Sequence, residues 1–547
     1  MNVNPVVNHL RNPVLPGFHP DPSILRVGEE YFLATSTFEW FPGVRIHRSR
    51  DLAHWRHAAY ALTRPAQLDL TGNPRSGGVW APCLSHADGL FHLVYSDVKT
   101  WGRGFLDCHN YLVVSPRIEG PWSDPIPLNK SGFDPSLFHD SDGRKWLCNM
   151  LWDHRGRDRE AFAGIALQEY DPIRRRLVGE RQVIFKGSPL GFTEGPHLYR
   201  RGPFYYLLVA EGGTSWDHAV TVARARTLEG PFEPDPHTPL LTARGNPTSP
   251  LQKAGHGSLV EAVDGGWYLA YLCARPVGRD RCCILGRETA LAPVAWTADG
   301  WLRLADGDRT PARTVRGPAG PVDAGPPPRP RDDFDAPVLG GDYQTLRVPP
   351  DPSWLTLTER PGFLRLHGRE SLQSLHRQSL VARRIQSLRC RFETALELAP
   401  RDPQEAAGLV CFYDDETFYY LFVSADERGR RQVGLLASEC GFVKQLATLP
   451  LDAAGPRVWL RGRLDRERLE LECSADGQVW RRVGPVLDAT LLSDERTSRG
   501  LGFTGAFVGL AAQDLAGRGC VADFDYLDYA DDVPDLGDGA AGSDDRP

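Results

Sequence analysis

The chain has 547 residues, 41% of them hydrophobic, enough for more than one packed domain. With 63 Lys+Arg against 70 Asp+Glu its formal charge is −7, so it lacks the basic surplus of a nucleic-acid binder, and no Lys/Arg-rich run points to a membrane surface. No apolar stretch is long enough to span a bilayer, and the 11 cysteines, odd in number and without a CxxC pair, fit neither a disulfide framework nor a zinc site.

The segment Met1 to Arg11 lacks a basic start followed by an apolar core, so no secretory signal is visible and a cytoplasmic location is expected. From residue 12 to about 310, five stretches open alike: Pro20-Asp21-Pro22-Ser23-Ile24, Trp80-Ala81-Pro82-Cys83-Leu84, Phe133-Asp134-Pro135-Ser136-Leu137, Glu194-Gly195-Pro196-His197-Leu198 and Gly255-His256-Gly257-Ser258-Leu259. They recur roughly every 53 to 61 residues, near the period of a propeller blade. An aromatic-aliphatic run follows each, such as Tyr31-Phe32-Leu33 or Trp267-Tyr268-Leu269. Turn residues stand between opening and run (Gly28-Glu29, Asp88-Gly89, Gly202-Pro203), where a hairpin has to reverse. Evenly spaced short strands predict an all-β fold, a five-bladed β-propeller over residues 1–315.

Residues 316–330 (RGPAGPVDAGPPPRP) are Pro/Gly-rich and predict a linker without ladder hydrogen bonds. A second β-rich region follows over residues 331–530. Leu409 to Tyr413, Phe418 to Val423 and Val433 to Leu435 form apolar runs, whereas Val458 to Leu464 and Leu469 to Cys473 alternate; Gly502 to Leu510 and Ala522 to Tyr529 close the set. This pattern predicts a β-sandwich of two sheets. The tail, residues 531–547, is acidic and Gly-rich and predicts disorder.

Three of the five openings carry an acid: Asp21, Asp134 and Glu194. A single Pro-flanked acid at a strand entrance can simply cap a turn. In a propeller, however, the innermost strands face each other across one channel, so three such acids converge there. Like charges held together are costly and shift each other's pKa, which marks a functional site.

These motifs resemble glycoside hydrolase family 43, specifically the β-xylosidases with a C-terminal, concanavalin-like β-sandwich. The resemblance rests on residues 12–24 (NPVLPGFHPDPSI), Gly78-Val79-Trp80-Ala81-Pro82, Gly132 to Phe138, Thr193-Glu194-Gly195-Pro196-His197 and Leu285-Gly286-Arg287-Glu288-Thr289, in order and nearly end to end. It implies that Asp21 is a general base, Glu194 a general acid and Asp134 a third acid that orients Glu194 and tunes its pKa. Such enzymes invert the anomeric centre: the base activates water on one face of the sugar while the acid protonates the leaving oxygen from the other.

By the same resemblance Arg287, Trp80, Phe38, Ala81, Thr214 and His256 contact substrate, and Phe507 reaches over from the sandwich to wall off the pocket. His256 lies beneath the site, where a channel calcium is a further option; no organic cofactor is implied. The family commonly has Asn where His19 stands, and Asp107-Cys108-His109-Asn110-Tyr111 also resembles it without an assigned role. Expected substrates are xylo-oligosaccharides or arabinosyl-substituted oligosaccharides, cut from the non-reducing end by a homo-oligomer. An α-L-arabinofuranosidase, a dual enzyme and a non-catalytic sugar-binding propeller remain alternatives.

Overall fold

A computed structural model describes residues 7–102, 104–155, 161–325, 329–451 and 455–531. Five antiparallel sheets of four or five strands follow one another in chain order. Their innermost strands are Ser23–Val27, Gly78–Ala87, Ser136–His139, Glu194–Arg201 and Gln252–Glu261, one from each predicted repeat. The hairpins turn where the sequence provides for it. Asp88 and Gly89 both take positive φ (54° and 73°) between Ala87 and its partner Leu90, as a two-residue turn requires.

Two junctions between neighbouring blades are joined at the axis through serines. Leu84 N–H donates to Ser23 Oγ (2.9 Å) and Ile24 N–H to Ser258 Oγ (3.0 Å), which closes the ring between the first and fifth blades. Asn12 adds a second closure, exchanging hydrogen bonds with the backbone of Leu291 in the fifth blade (2.8 and 2.9 Å).

The expected linker begins later than its composition suggested. Thr314–Ala319 is a strand paired antiparallel with Val7–Arg11, and Pro318 lies near its end, where a missing N–H is tolerated. Part of the remaining linker (326–328) and the tail from 532 onward lie outside the described residues. Asp531, placed in the tail by composition, still belongs to the last strand, Val521–Asp531.

The second region is a sandwich of an eight- and a nine-stranded sheet. Trp40–Phe41 of the first blade pairs with Gln344–Leu346, so one sheet crosses from propeller to sandwich. That seam explains the unbroken apolar run at Leu409 to Tyr413. Leu409, Cys411 and Tyr413 enter the sandwich core, whereas Val410 and Phe412 point the other way, into a cluster shared with Phe18, Phe38 and Trp40 of the propeller. A strand buried on both faces has no reason to alternate, while Arg457–Asp465, half open to solvent, does.

Candidate active site

Each blade begins with a kink. Asp21, Ala81, Asp134, Gly195 and His256 occupy equivalent places, and all five have positive φ: 54°, 25°, 54°, 57° and 46°. For the four that carry a Cβ this conformation costs roughly 1–2 kcal/mol each. The kink also breaks the ladder, with register shifts between Trp80 and Cys83, Glu194 and His197, and Gly255 and Gly257. Freed from strict alternation, the kinked residue or the one before it faces the channel mouth: Asp21, Trp80, Phe133, Asp134, Glu194 and His256 line a single cavity of about 460 Å³. The convergence expected of the three acids therefore occurs.

Asp21 is buried (5% exposed) and faced by donors. Its Oδ2 accepts the Ser36 hydroxyl (2.6 Å) and its Oδ1 accepts Arg287 Nη1 (3.1 Å), with His256 Nδ1 at 3.5 Å. Arg287 also donates to Thr214 Oγ1 (3.2 Å) and to the Phe503 carbonyl (2.9 Å), and lies 5.3 Å from the Phe38 and Phe503 ring centres. Burial keeps His256 below its ordinary pKa, and Asp21 opposes that shift, so the ring is held mainly neutral.

Asp134 accepts the backbone N–H of Gly195 through Oδ2 (2.9 Å) and so fixes the peptide that follows Glu194. Gly195 has to be glycine: a Cβ there would lie 2.9 Å from His256 Nε2. Behind Glu194, buried Glu211 collects the hydroxyls of Ser188 (2.7 Å), Thr193 (2.8 Å) and Thr221 (2.8 Å), which sets the loop leading into the strand. The Asp107 to Tyr111 run supports Asp134 in a similar way. Asn110 Nδ2 holds the Gly132 carbonyl (2.9 Å), and Gly132 approaches the Met150 carbonyl so closely that a Cβ would sit 1.9 Å from it.

Burial raises the pKa of Glu194, and the charges of Asp134 and Asp21 raise it further, against the pull of Arg287. Burial outweighs the neighbouring charge that the sequence alone pointed to. Asp134 is itself raised, by burial first and Asp21 second.

The walls are aromatic: Phe38, Trp80, Trp101, Phe133, Trp152, Phe162 and Phe192 from the propeller, Phe503 from the sandwich. Two expected contacts fall behind this wall. Phe507 is fully buried and stacks on Trp40 (3.9 Å, 16°), because it begins the strand Phe507–Asp514 and its side chain is committed to the seam. The sandwich ring at the pocket is Phe503, in the irregular segment before that strand. Ala81 lies within the second blade's kink, buried at 5% exposure, while its neighbour Trp80 lines the cavity. Phe133 was recoverable from the sequence, since it stands in the register of Trp80 and Glu194. Ser36, Trp101 and Phe503 lie outside the repeat openings and carried no such signal.

Among the described residues no group of three or more His, Cys, Asp or Glu could hold a metal ion. His256, with Nδ1 3.5 Å from Asp21 Oδ1, is the side chain that would face a channel calcium, whose remaining ligands would be oxygens. No step of the chemistry below passes through a metal.

Three carboxyls in one cavity, two of them with pKa raised by desolvation, set among aromatic faces that suit the C–H side of a sugar ring, define a carbohydrate-cleaving enzyme, a glycoside hydrolase. The chain belongs to the glycosyl hydrolases family 43, whose model matches residues 10–302. Residues 331–530 match the beta xylosidase C-terminal concanavalin A-like domain. The chain is 48% identical to xylosidase/arabinosidase 43B of Humicola insolens, over 95% of this chain and 97% of the relative. It is 45% identical to a beta-xylosidase of Bacillus subtilis, over 95% and 99%. The crystal structure of xylan beta-1,4-xylosidase from Bacillus halodurans C-125 superposes with a TM-score of 0.93 at 54% identity, covering 95% of this chain and 99% of that one.

Proposed function

We propose that the protein is an exo-acting β-xylosidase that removes terminal β-1,4-linked xylose from xylo-oligosaccharides with inversion. Asp21 takes a proton from water as its oxygen bonds to the anomeric carbon; Glu194 gives its proton to the departing glycosidic oxygen, and the first product is α-xylose. Asp134 keeps Glu194 in place through Gly195, and because both carboxyls have their pKa raised by burial and do not readily ionise together, the pair favours the protonated form of Glu194. Arg287 aligns Asp21 and, with Thr214, offers donors to sugar hydroxyls, while Trp80, Phe38 and Phe503 supply the apolar faces. The observation that carries this assignment is the unequal surround of two acids in one cavity: donors on both oxygens of Asp21, and burial plus negative neighbours on Glu194. Proton NMR of the first product tests it; β-xylose as the initial anomer rules out inversion, and a Glu194→Ala variant that still cleaves a poorly activated xyloside rules out the acid.

The name of the Humicola insolens relative favours a second activity on α-L-arabinofuranosides. Rates on the two nitrophenyl glycosides separate a xylosidase from a dual enzyme. A homo-oligomer suits the outer strand Phe442–Pro450, where Phe442 and Val443 are 83% and 52% exposed; sedimentation velocity decides it. A reducing cytoplasm suits a chain in which no disulfide forms among the described residues, and fractionation of the source cells tests that location.

A further inference from the structure

A continuous line of hydrogen bonds runs from a buried acid at the domain seam to Asp21. Glu39 is 1% exposed, and both its carboxyl oxygens face the Ser76 N–H (3.2 and 3.1 Å). Ser76 Oγ accepts the backbone N–H of Phe503 in the sandwich (3.1 Å). The Phe503 carbonyl accepts Arg287 Nη2 (2.9 Å), and Arg287 Nη1 donates to Asp21 Oδ1 (3.1 Å). Phe503 is thus held on both sides of its own residue by the propeller, and Arg287 owes one of its fixed contacts to the sandwich.

Ser76 is unusual in two further respects. It has positive φ (56°) at 2% exposure, a conformation that glycine would adopt without strain. Its carbonyl also accepts Trp80 Nε1 (2.9 Å), so a single residue holds one pocket ring by its carbonyl and another by its hydroxyl. The surrounding loop is pinned from the sandwich: Arg347 Nε donates to the Asn73 carbonyl (2.8 Å) and Arg75 pairs with Asp415 (2.7 Å). Arg347 N–H reaches the Glu39 carbonyl as well (2.9 Å). Burial pushes the Glu39 carboxyl up to about 7, the mark of an acid kept where an apolar side chain would be less costly.

We propose that Ser76, backed by Glu39, is a positioning residue for hydrolysis: it seats the Phe503 segment so that Arg287 is aligned on Asp21 and Trp80 on the sugar. This makes the sandwich part of the catalytic geometry through its backbone and not only through a ring. The proposal rests on the site assigned above.

The test compares Ser76→Ala with Ser76→Thr. The alanine variant loses the acceptor oxygen; the threonine variant keeps it but places a β-branched side chain at positive φ, which costs stability. On a nitrophenyl β-xyloside Ser76→Ala lowers kcat about tenfold, because Arg287 and Trp80 lose their alignment, with KM within about threefold and a small fall in Tm from the unpaired Phe503 N–H. Ser76→Thr melts lower than Ser76→Ala yet restores most of kcat. Should the threonine variant not fold, Glu39→Gln probes the same line one link away and, assayed above about pH 7 where the parent Glu39 is ionised, lowers kcat about threefold, since a neutral acceptor is weaker. The proposal is overturned if Ser76→Ala keeps kcat within twofold of the parent, or if kcat follows Tm across the variants. Failure of the underlying site looks different: Glu194→Ala then retains turnover whatever Ser76 does.

Discussion

Replacing Lys253 with methionine tests how the two domains are locked beside the pocket. Lys253 in the fifth blade extends into the sandwich, where Nζ lies 3.2 Å from Asp494 Oδ2 and also bonds Glu495; the Lys253 and Asp494 side chains are 4% and 3% exposed. Asp494 otherwise holds the Tyr413 hydroxyl (2.9 Å), and Glu495 the Cys283 N–H (2.8 Å). Removing the ammonium strands buried carboxyls, a loss of about 3–5 kcal/mol. Burial already pushes Asp494 from 3.8 up to about 6, against the pull of Lys253. A raised folded pKa means that its contribution is complete below 3.8 and is lost as pH rises through about 6, a swing of roughly 3 kcal/mol. Without Lys253 that pKa climbs further, so the deficit of the variant is greatest near about pH 8 and shrinks towards about pH 5, where Asp494 takes up a proton. Guanidinium denaturation at both pH values measures it, and Lys253→Met combined with Asp494→Asn recovers part of the loss. A deficit under about 1 kcal/mol at the higher pH, a deficit that grows on acidification, or a double variant weaker than the single one refutes the reasoning.

Asp134→Asn removes a carboxyl whose pKa burial and Asp21 hold high, so its stabilising contribution is present at acid pH and lost as pH rises through the folded value. The variant therefore melts above the parent at alkaline pH and not at acid pH, while kcat falls about a hundredfold; thermal melts and initial rates check both. Gly195→Ala meets His256 Nε2 at 2.9 Å and takes φ of 57°, so kcat falls at least about tenfold. Gly202→Ala, at the same φ in an open hairpin with nothing within 4 Å, loses only stability, roughly 1 kcal/mol, and equal activity loss in the two would refute the contact.

The repeat openings were legible because each blade repeats one kink, and a Pro or Gly after the kink writes that geometry into the local sequence. Asp21, Asp134, Glu194, His256 and Trp80 could all be placed in this way, since their neighbours belong to the same local pattern. Phe507 could not. Phe503 and Phe507 sit four residues apart in one apolar run, and their composition does not tell which ends a loop and which starts a strand. Phe507 ↔ Phe412 and Phe507 ↔ Arg384 pairing decides it, and those partners lie far away in the chain.

The same limit applies to Ser76 and Glu39. Neither stands in a motif, and their roles arise only where Ser76 meets Phe503, a residue of the other domain. The amino-acid sequence by itself determined the blades, the sandwich and the three acids, because turn chemistry, hydrophobic period and kink residues act over a few neighbours. The tertiary structure alone decided which ring closes the pocket, how far burial raises Glu194, and how the second domain is tied to Asp21. Those depend on desolvation and on contacts between residues hundreds of positions apart, which no local pattern encodes.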